Sequence, residues 1–261
     1  MKSFWEEQAE QLKEDVRAVN FDPILDELEN FFLEKLIGDN DVVCDLGCGN
    51  GRATIYLAQK KQNCLFYGID FAGNMIMVAN EQKKKSNVAN VHFRHYDATV
   101  DDLRSLLDIK FDKIISKRLL INLKGEKKLK AIKNIYSILK NNGKFIMIEC
   151  FTEPLSKIND IRSKLNLNEI TIKFFNEYLS LDFFNKIEDY FSVDQKIDFG
   201  SLYYFISRIF NAALSEGTPD YFAPMNTLAA QLIKMGINPI EQYSPEMIFV
   251  LKKENVTLSY L

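Results

Sequence analysis

The stretch VVCDLGCGNGR, Val42 to Arg52, carries the first residues whose types and spacing point to chemistry. An apolar run ends in Asp45, and Gly47, Gly49 and Gly51 follow at alternate positions. Glycines allow positive φ and remove Cβ atoms where a ligand must touch the main chain. Where such a turn opens a helix, its unpaired N–H groups can hydrogen-bond that ligand. A dinucleotide site uses G-x-G-x-x-G. Counted from Gly47, its third glycine would fall at position 52, which is Arg. A carboxylate at position 45 aimed at the turn repels a pyrophosphate and attracts a cationic amino group.

Two further acids close strand-like runs. Asp70 ends CLFYGID, where a carboxylate can accept both hydroxyls of a ribose. Asp97 closes HFRHYDA, where it could accept from an exocyclic adenine amine, with the Ala98 N–H beside it. S-adenosylmethionine carries an ammonium, a sulfonium and no phosphate, so it suits this acid-and-glycine pattern where a dinucleotide does not.

The segment SKRLLINL, Ser116 to Leu123, follows the fourth strand-like run. Carboxyl ends of parallel strands face the ligand, so this segment should face the chemistry. It offers Lys117, Arg118 and Asn122. Arg118 could hold an anionic acceptor, a phosphate or carboxylate, by a bidentate contact; the alternative is a structural ion pair. FFNEYL brings Asn176, Glu177 and Tyr178 together, as a lid supplying Asn and Tyr to an acceptor or as ordinary helix-start chemistry. His92 and His95 stand three apart in a strand-like run and so face opposite sides, each with a core or surface role.

These groups need a frame to hold them. From residue 41 to 151, apolar strand-like runs alternate with helical stretches, which indicates a parallel sheet covered on both faces. Right-handed crossovers make it a doubly wound α/β sandwich. Two helices should precede it, the second opened by Pro23. The stretch 124–141 reads as a helix closed by Gly143 as a C-cap. After Phe151 the chain is helical and irregular, with strand-like SVDQKIDF and EMIFVLKKE separated by two helical stretches.

Composition narrows the partners. The chain has 261 residues, 47% of them hydrophobic, and a net charge of −3, which argues against a broad nucleic-acid surface. Cys44, Cys48, Cys64 and Cys150 show no zinc-type spacing, and as buried thiols they suit a reducing cytoplasm. The N-terminus has no signal-peptide pattern, and no apolar stretch approaches the ~20 residues needed to cross a bilayer.

Across residues 40–151 the chain resembles the class I S-adenosylmethionine-dependent methyltransferases: VVCDLGCGNG as glycine motif, YGIDFAGNMI as ribose strand, HYDAT as adenine turn, then FDKIISKRLLINL and ILKNNGKFIMIE. The resemblance implies a Rossmann-like seven-stranded sheet with an antiparallel last strand. It implies that Asp45, Gly47, Cys48, Gly49 and Gly51 hold the methionine end, with Ser116 nearby. Asp70 would take the ribose, Phe71 and Met75 would pack beside it, and Asp97 and Ala98 would read adenine. Arg118, Asn122 and Tyr178 are the expected acceptor-side residues. The chain lacks NPPY or DPPY, the signature of nucleobase or glutamine-amide methylation, and the metal-ligand set of catechol-type O-methyltransferases. It also lacks a His-rich turn after the fourth strand, so the base is unassigned. RLLINL and VRAVNFDP, with Arg17 and Asn20 placed to fold over the cofactor, look similar to small-molecule methyltransferases of bacterial surface-polysaccharide biosynthesis. The resulting expectation is a cytoplasmic, single-domain enzyme. Residues 1–38 form a helical cover, 39–151 the cofactor core, and 152–261 the acceptor-side insertions and final strand pair. The acceptor is small and polar, with an anionic group as one option, and O-methylation of a sugar or phosphoramidate-type group is the leading case. N-methylation of a metabolite and a non-catalytic S-adenosylmethionine-binding module are the alternatives.

Overall fold

Seven apolar runs become seven strands of one sheet. They are β1 (Val42–Leu46), β2 (Leu65–Asp70), β3 (Val91–His95), β4 (Phe111–Lys117), β5 (Leu139–Cys150), β6 (Phe191–Ile197) and β7 (Glu246–Lys253). The computed structural model describes residues 2–13, 15, 22–100, 102–215 and 219–254. Arg17 and Asn20 lie outside the described residues. Strand order is β3-β2-β1-β4-β5-β7-β6. Strands β1 to β5 pair in parallel, and β7 runs antiparallel to both β5 and β6. Burial follows position. Four of the five β1 residues are buried, as a central strand covered on both faces requires, whereas the edge strand β6 alternates.

Helices α1 (Lys2–Leu12) and α2 (Pro23–Leu36) precede the sheet, and α3 (Arg52–Lys60), α4 (Gly73–Ser86), α5 (Leu103–Leu106) and α6 (Lys127–Ile138) connect its parallel strands. Helix α7 (Thr152–Lys164) follows β5. The β6–β7 connection is the long insertion, holding α8 (Ser201–Phe205), a π-helical segment (Ile206–Phe210), α9 (Asn211–Leu214) and α10 (Pro224–Lys234). One apolar layer includes Leu28, Ile55, Ile76 and the insertion's Tyr203 and Ile233. The other includes Leu103, Ile132, Ile135 and Phe183. Among the described residues no helix is long and apolar enough to cross a membrane.

Local chemistry explains most boundaries. Asp22 caps α2 by accepting the Leu25 N–H at 3.1 Å, with Pro23 in the first turn. The expected C-cap at Gly143 is corrected: α6 stops at Ile138, and Gly143 lies inside β5. The buried Leu139 pairs with Phe111 of β4, and the register then shifts so that Lys144 pairs with Lys113. Strand pairing captures the chain before a helix could reach the glycine.

A buried charge network fixes α2 to the end of β4. Lys117 Nζ lies 2.8 Å from Asp26 and 2.6 Å from Glu29, and it donates to Asn30 at 3.2 Å. The Arg118 guanidinium is clasped by Glu29 and by Glu246 at the start of β7. Burial raises the Glu29 carboxyl, but Arg118 and Lys117 beside it overcome this and hold it at about 2. Burial pushes the Glu246 carboxyl well above the usual range.

Two outcomes test this frame. Gly51 has φ +79°, and a Cβ there would stand 2.7 Å from the Phe93 ring and 2.8 Å from Ala79 Cβ. Gly51→Ala should therefore cost about 2–4 kcal/mol in urea unfolding, strain and overpacking combined. Glu29→Ala leaves two buried cations short of a carboxylate and should cost about 3–5 kcal/mol in the same measurement. A loss below about 1 kcal/mol for either variant would contradict the packing described.

Candidate functional site

The carboxyl ends of β1, β2 and β4 open into one cavity, beside the point where the strand order reverses. Its empty space, counting the part open to solvent, is about 790 Å³. Asp45, Gly47, Cys48 and Gly49 line it from the β1 turn, and Asp70, Phe71 and Met75 from the β2 side. Arg118 and Asn122 close it from the β4 side.

The turn is built from main-chain bonds. Gly47 and Cys48 N–H groups donate to Ile69 O at 2.7 and 3.1 Å, and Gly51 N–H donates to Cys48 O at 3.0 Å. The Asp70 carboxylate accepts Gly49 N–H and Ala72 N–H, both at 2.9 Å, so one side chain pins both rims of the cavity. Each oxygen keeps a lone pair for a ligand. Burial raises the Asp70 carboxyl to about 6, while those two N–H groups oppose the rise. Asp45 accepts from Thr54 Oγ1 at 2.6 Å, and burial raises its pKa too. Gly47, at φ +82°, leaves a gap that a Cβ would fill to within 3.2 Å of Leu119. Asn50 lines the same wall, and its buried Oδ1 has no partner among the described residues. A carboxylate pair, bare glycines and an orphaned carbonyl oxygen suit a cationic nucleoside ligand such as S-adenosylmethionine.

Four expected cofactor residues do not line the cavity. Gly51 sits at the start of α3 against Phe93 and Ala79, shaping the turn from behind. The Asp97 carboxylate accepts Thr99 N–H and Thr99 Oγ1, both at 2.7 Å, and Ala98 is buried with its carbonyl accepting from Asn134 at 2.7 Å. Ser116 is fully buried, 3.5 Å from Glu149 Oε1. For Arg118 the sequence left two readings open, an anion site or a structural ion pair. Held between Glu29 and Glu246, it takes the ion-pair alternative.

A second cavity of about 990 Å³, on the same count, adjoins the first and shares Trp5, Arg118 and Asn122 with it. Tyr178 faces this second space, with Asn176, Cys150 and Glu246. The insertion contributes Tyr204, Arg208 and Tyr221. Arg208 Nη2 bonds Asp22 Oδ2 at 2.6 Å, and its guanidinium lies 5.1 Å from the Tyr204 ring centroid and 4.9 Å from that of Tyr221. Arg208 belongs to the π-helical segment, and such segments recur at functional sites. The turn that carries Asn122 (Leu120–Asn122) is held by Glu149, which accepts Leu120 N–H at 2.8 Å and Ile121 N–H at 3.1 Å. Burial raises the Glu149 carboxyl to about 7, with those N–H groups pulling the other way.

Sequence reading missed Trp5, Asn50 and Arg208. Trp5 is the chain's single tryptophan, which was a usable signal. Glu6 on the same helix accepts Gly73 N–H at 3.0 Å and Asn74 N–H at 2.8 Å, docking α1 on the start of α4. Neither histidine lines either cavity. His95 Nε2 meets Phe71 O at 2.9 Å, and His92 packs on Tyr67. Among the described residues no group of three or more His, Cys, Asp or Glu is disposed to hold a metal ion.

Known proteins agree with this geometry. The model of a family described as "Methyltransferase domain" matches residues 37–197. A carboxy-S-adenosyl-L-methionine synthase from Nautilia profundicola is 32% identical over 163 residues, covering 57% of this chain. The match spans 64% of that relative's length. The solved N-methyltransferase NodS from Bradyrhizobium japonicum, in complex with S-adenosylhomocysteine, superposes with a TM-score of 0.56 at 12% identity, covering 96% of this chain and 97% of its own. An O-methyltransferase from a trans-AT polyketide synthase multienzyme of Brevibacillus brevis, also with S-adenosylhomocysteine, gives 0.57 at 16% identity, covering 87% of this chain and 71% of its own. The cavity at the β1 and β2 ends, the strand order and the family match lead to one statement: the chain belongs to the class I S-adenosylmethionine-dependent methyltransferase family.

Proposed function

We propose that the chain transfers the methyl group of S-adenosylmethionine, held in the first cavity, to a small polar acceptor held in the second. The observation that carries this reading is the junction: two cavities meet at Trp5, Arg118 and Asn122 on the carboxyl edge of the sheet. When bound, the cofactor supplies an electrophilic methyl on a sulfonium. Asp70 accepts the ribose hydroxyls, with Phe71 and Met75 against the nucleoside. The glycine turn gives main-chain contact to the methionine end. Asp45 and the Asn50 carbonyl oxygen face its ammonium. Asp97 and Ala98 act from outside the lining, by shaping the turn after β3. Residues 1–38 cover the site, 39–151 hold the cofactor and 152–261 shape the acceptor space.

The protein's main contribution is placement, because the leaving group is already good. Asn122 and Tyr178 present polar atoms to the acceptor, and Arg118 holds the wall between the cavities. O-methylation is the leading case. It forms a C–O bond, breaks the S–CH₃ bond and releases one proton. Aromatic faces beside amide groups suit a sugar ring, which supports the surface-polysaccharide context read from RLLINL. A phosphoramidate-type acceptor has less support, because Arg118 and Arg208 are already paired with carboxylates.

Calorimetry with S-adenosylhomocysteine tests the assignment. Wild type should bind, and Asp70→Ala should weaken binding at least about tenfold; absence of binding by wild type sinks the proposal. Accepting hydroxyls favours the ionised carboxylate, so binding must displace a proton once pH falls below the Asp70 pKa of about 6. Affinity should therefore drop about tenfold from pH 7.5 to pH 5, and Asp70→Asn should flatten that profile.

A further inference from the structure

We infer that the acceptor is an uncharged polyol, and that the amide oxygens of Asn122 and Asn176 read its hydroxyl groups. This rests on the reading of the second cavity as the acceptor site.

The first support is a pair of orphaned acceptors. Among the described residues, Asn122 Oδ1 and Asn176 Oδ1 are buried without a hydrogen-bond partner, and both residues line the second cavity. Asn122 Nδ2 donates to Arg118 O at 2.6 Å. A carbonyl only accepts, so this bond fixes which end of the amide stays unpaired. The two residues are neighbours in space, because Glu177 N–H donates to Ile121 O at 2.7 Å and joins the two segments. A buried carbonyl oxygen left unmatched is costly, and a ligand that presents donors removes that cost. Two such oxygens on adjoining segments call for two donors, which a polyol carries. Phosphate or carboxylate oxygens presented there would be repelled.

The second support is the charge around the space. The ionisable groups facing it are Asp22, Arg118, Lys173, Arg208 and Glu246, with the Cys150 thiol and the phenols of Tyr178, Tyr204 and Tyr221. Arg208 is matched by Asp22, and Arg118 by Glu29 and Glu246. Lys173 stands at the exposed rim of the space, where partial burial lowers its pKa from the usual lysine value. A charged acceptor would be desolvated against walls whose charges are internally paired. An uncharged polyol gains its hydrogen bonds without that cost, and Trp5, Phe175 and the tyrosines offer its C–H faces apolar cover.

The test uses the full chain loaded with S-adenosylhomocysteine and titrated in ligand-observed NMR. Probes are methyl glucoside, methyl galactoside and inositol, against glucuronate, glucose 6-phosphate and glucosamine. At least one neutral probe should bind at least tenfold more tightly than every charged one. Asn176→Leu should lower that affinity at least tenfold, and Asn176→Asp, which keeps an acceptor oxygen, should retain more of it than the Leu variant. Thermal melting confirms that each variant folds. Silence from every neutral probe, tighter binding of a charged one, or unchanged affinity in Asn176→Leu overturns the inference while the cofactor assignment stands. Failure of wild type to load S-adenosylhomocysteine overturns that assignment and this inference with it.

Discussion

Two cations at the end of β4 must be paired, and their partners come from distant parts of the chain. Lys117 and Arg118 draw Asp26 and Glu29 from α2 and Glu246 from β7. An unpaired charge in that position would be prohibitive, so the helix, the fourth strand and the seventh strand settle together. Arg118 also takes φ +55°, a left-handed conformation for a non-glycine residue, with its N–H bonded to Ile148 O at 2.7 Å. That turn aims the segment after β4 along the sheet edge. The wall between the two cavities is therefore a consequence of charge pairing, and Asn122 stands where the pairing puts it.

A second set of polar contacts joins the cover to the insertion. Asp22 caps α2, accepts from the Tyr203 hydroxyl at 2.8 Å and pairs with Arg208. The insertion helices are thereby anchored over the carboxyl edge, where they complete the second cavity. In the first cavity Asp70 has the equivalent role, since its two oxygens hold the glycine turn and the start of α4 at once. Both devices use one buried carboxylate to bind several donors, and charge-assisted bonds of this kind are the stronger ones.

Much of this was legible in the residues, for a local reason. The strand, turn and helix around Asp45 to Gly51 form within one short segment, and Asp45 and Asp70 stand in the last two positions of their strands. Contiguous apolar runs with turn residues between them specify such units well, so the sheet and the first cavity followed from the alternation. Arg118 was harder. Its partners stand 89 and 128 positions away, a separation at which residue type says nothing about pairing. Asp97 stands outside the lining of the first cavity for the opposite reason: Thr99, two residues on, captures its carboxylate. Gly143 misled because a strand partner captured the chain at Leu139, four residues earlier.

The sequence by itself determined the order of strands and helices, the turn that meets the ligand and the cationic, phosphate-free nature of that ligand, because periodicity, glycine freedom and carboxylate charge act over short distances. Tertiary structure alone decided the second cavity. Trp5, Asn122, Asn176, Tyr178 and Arg208 come from segments spread over some 200 positions of the chain, and only packing brings them around one cavity. Which of them keep an unmatched polar atom depends on what their neighbours already satisfy, and that is a property of the folded chain.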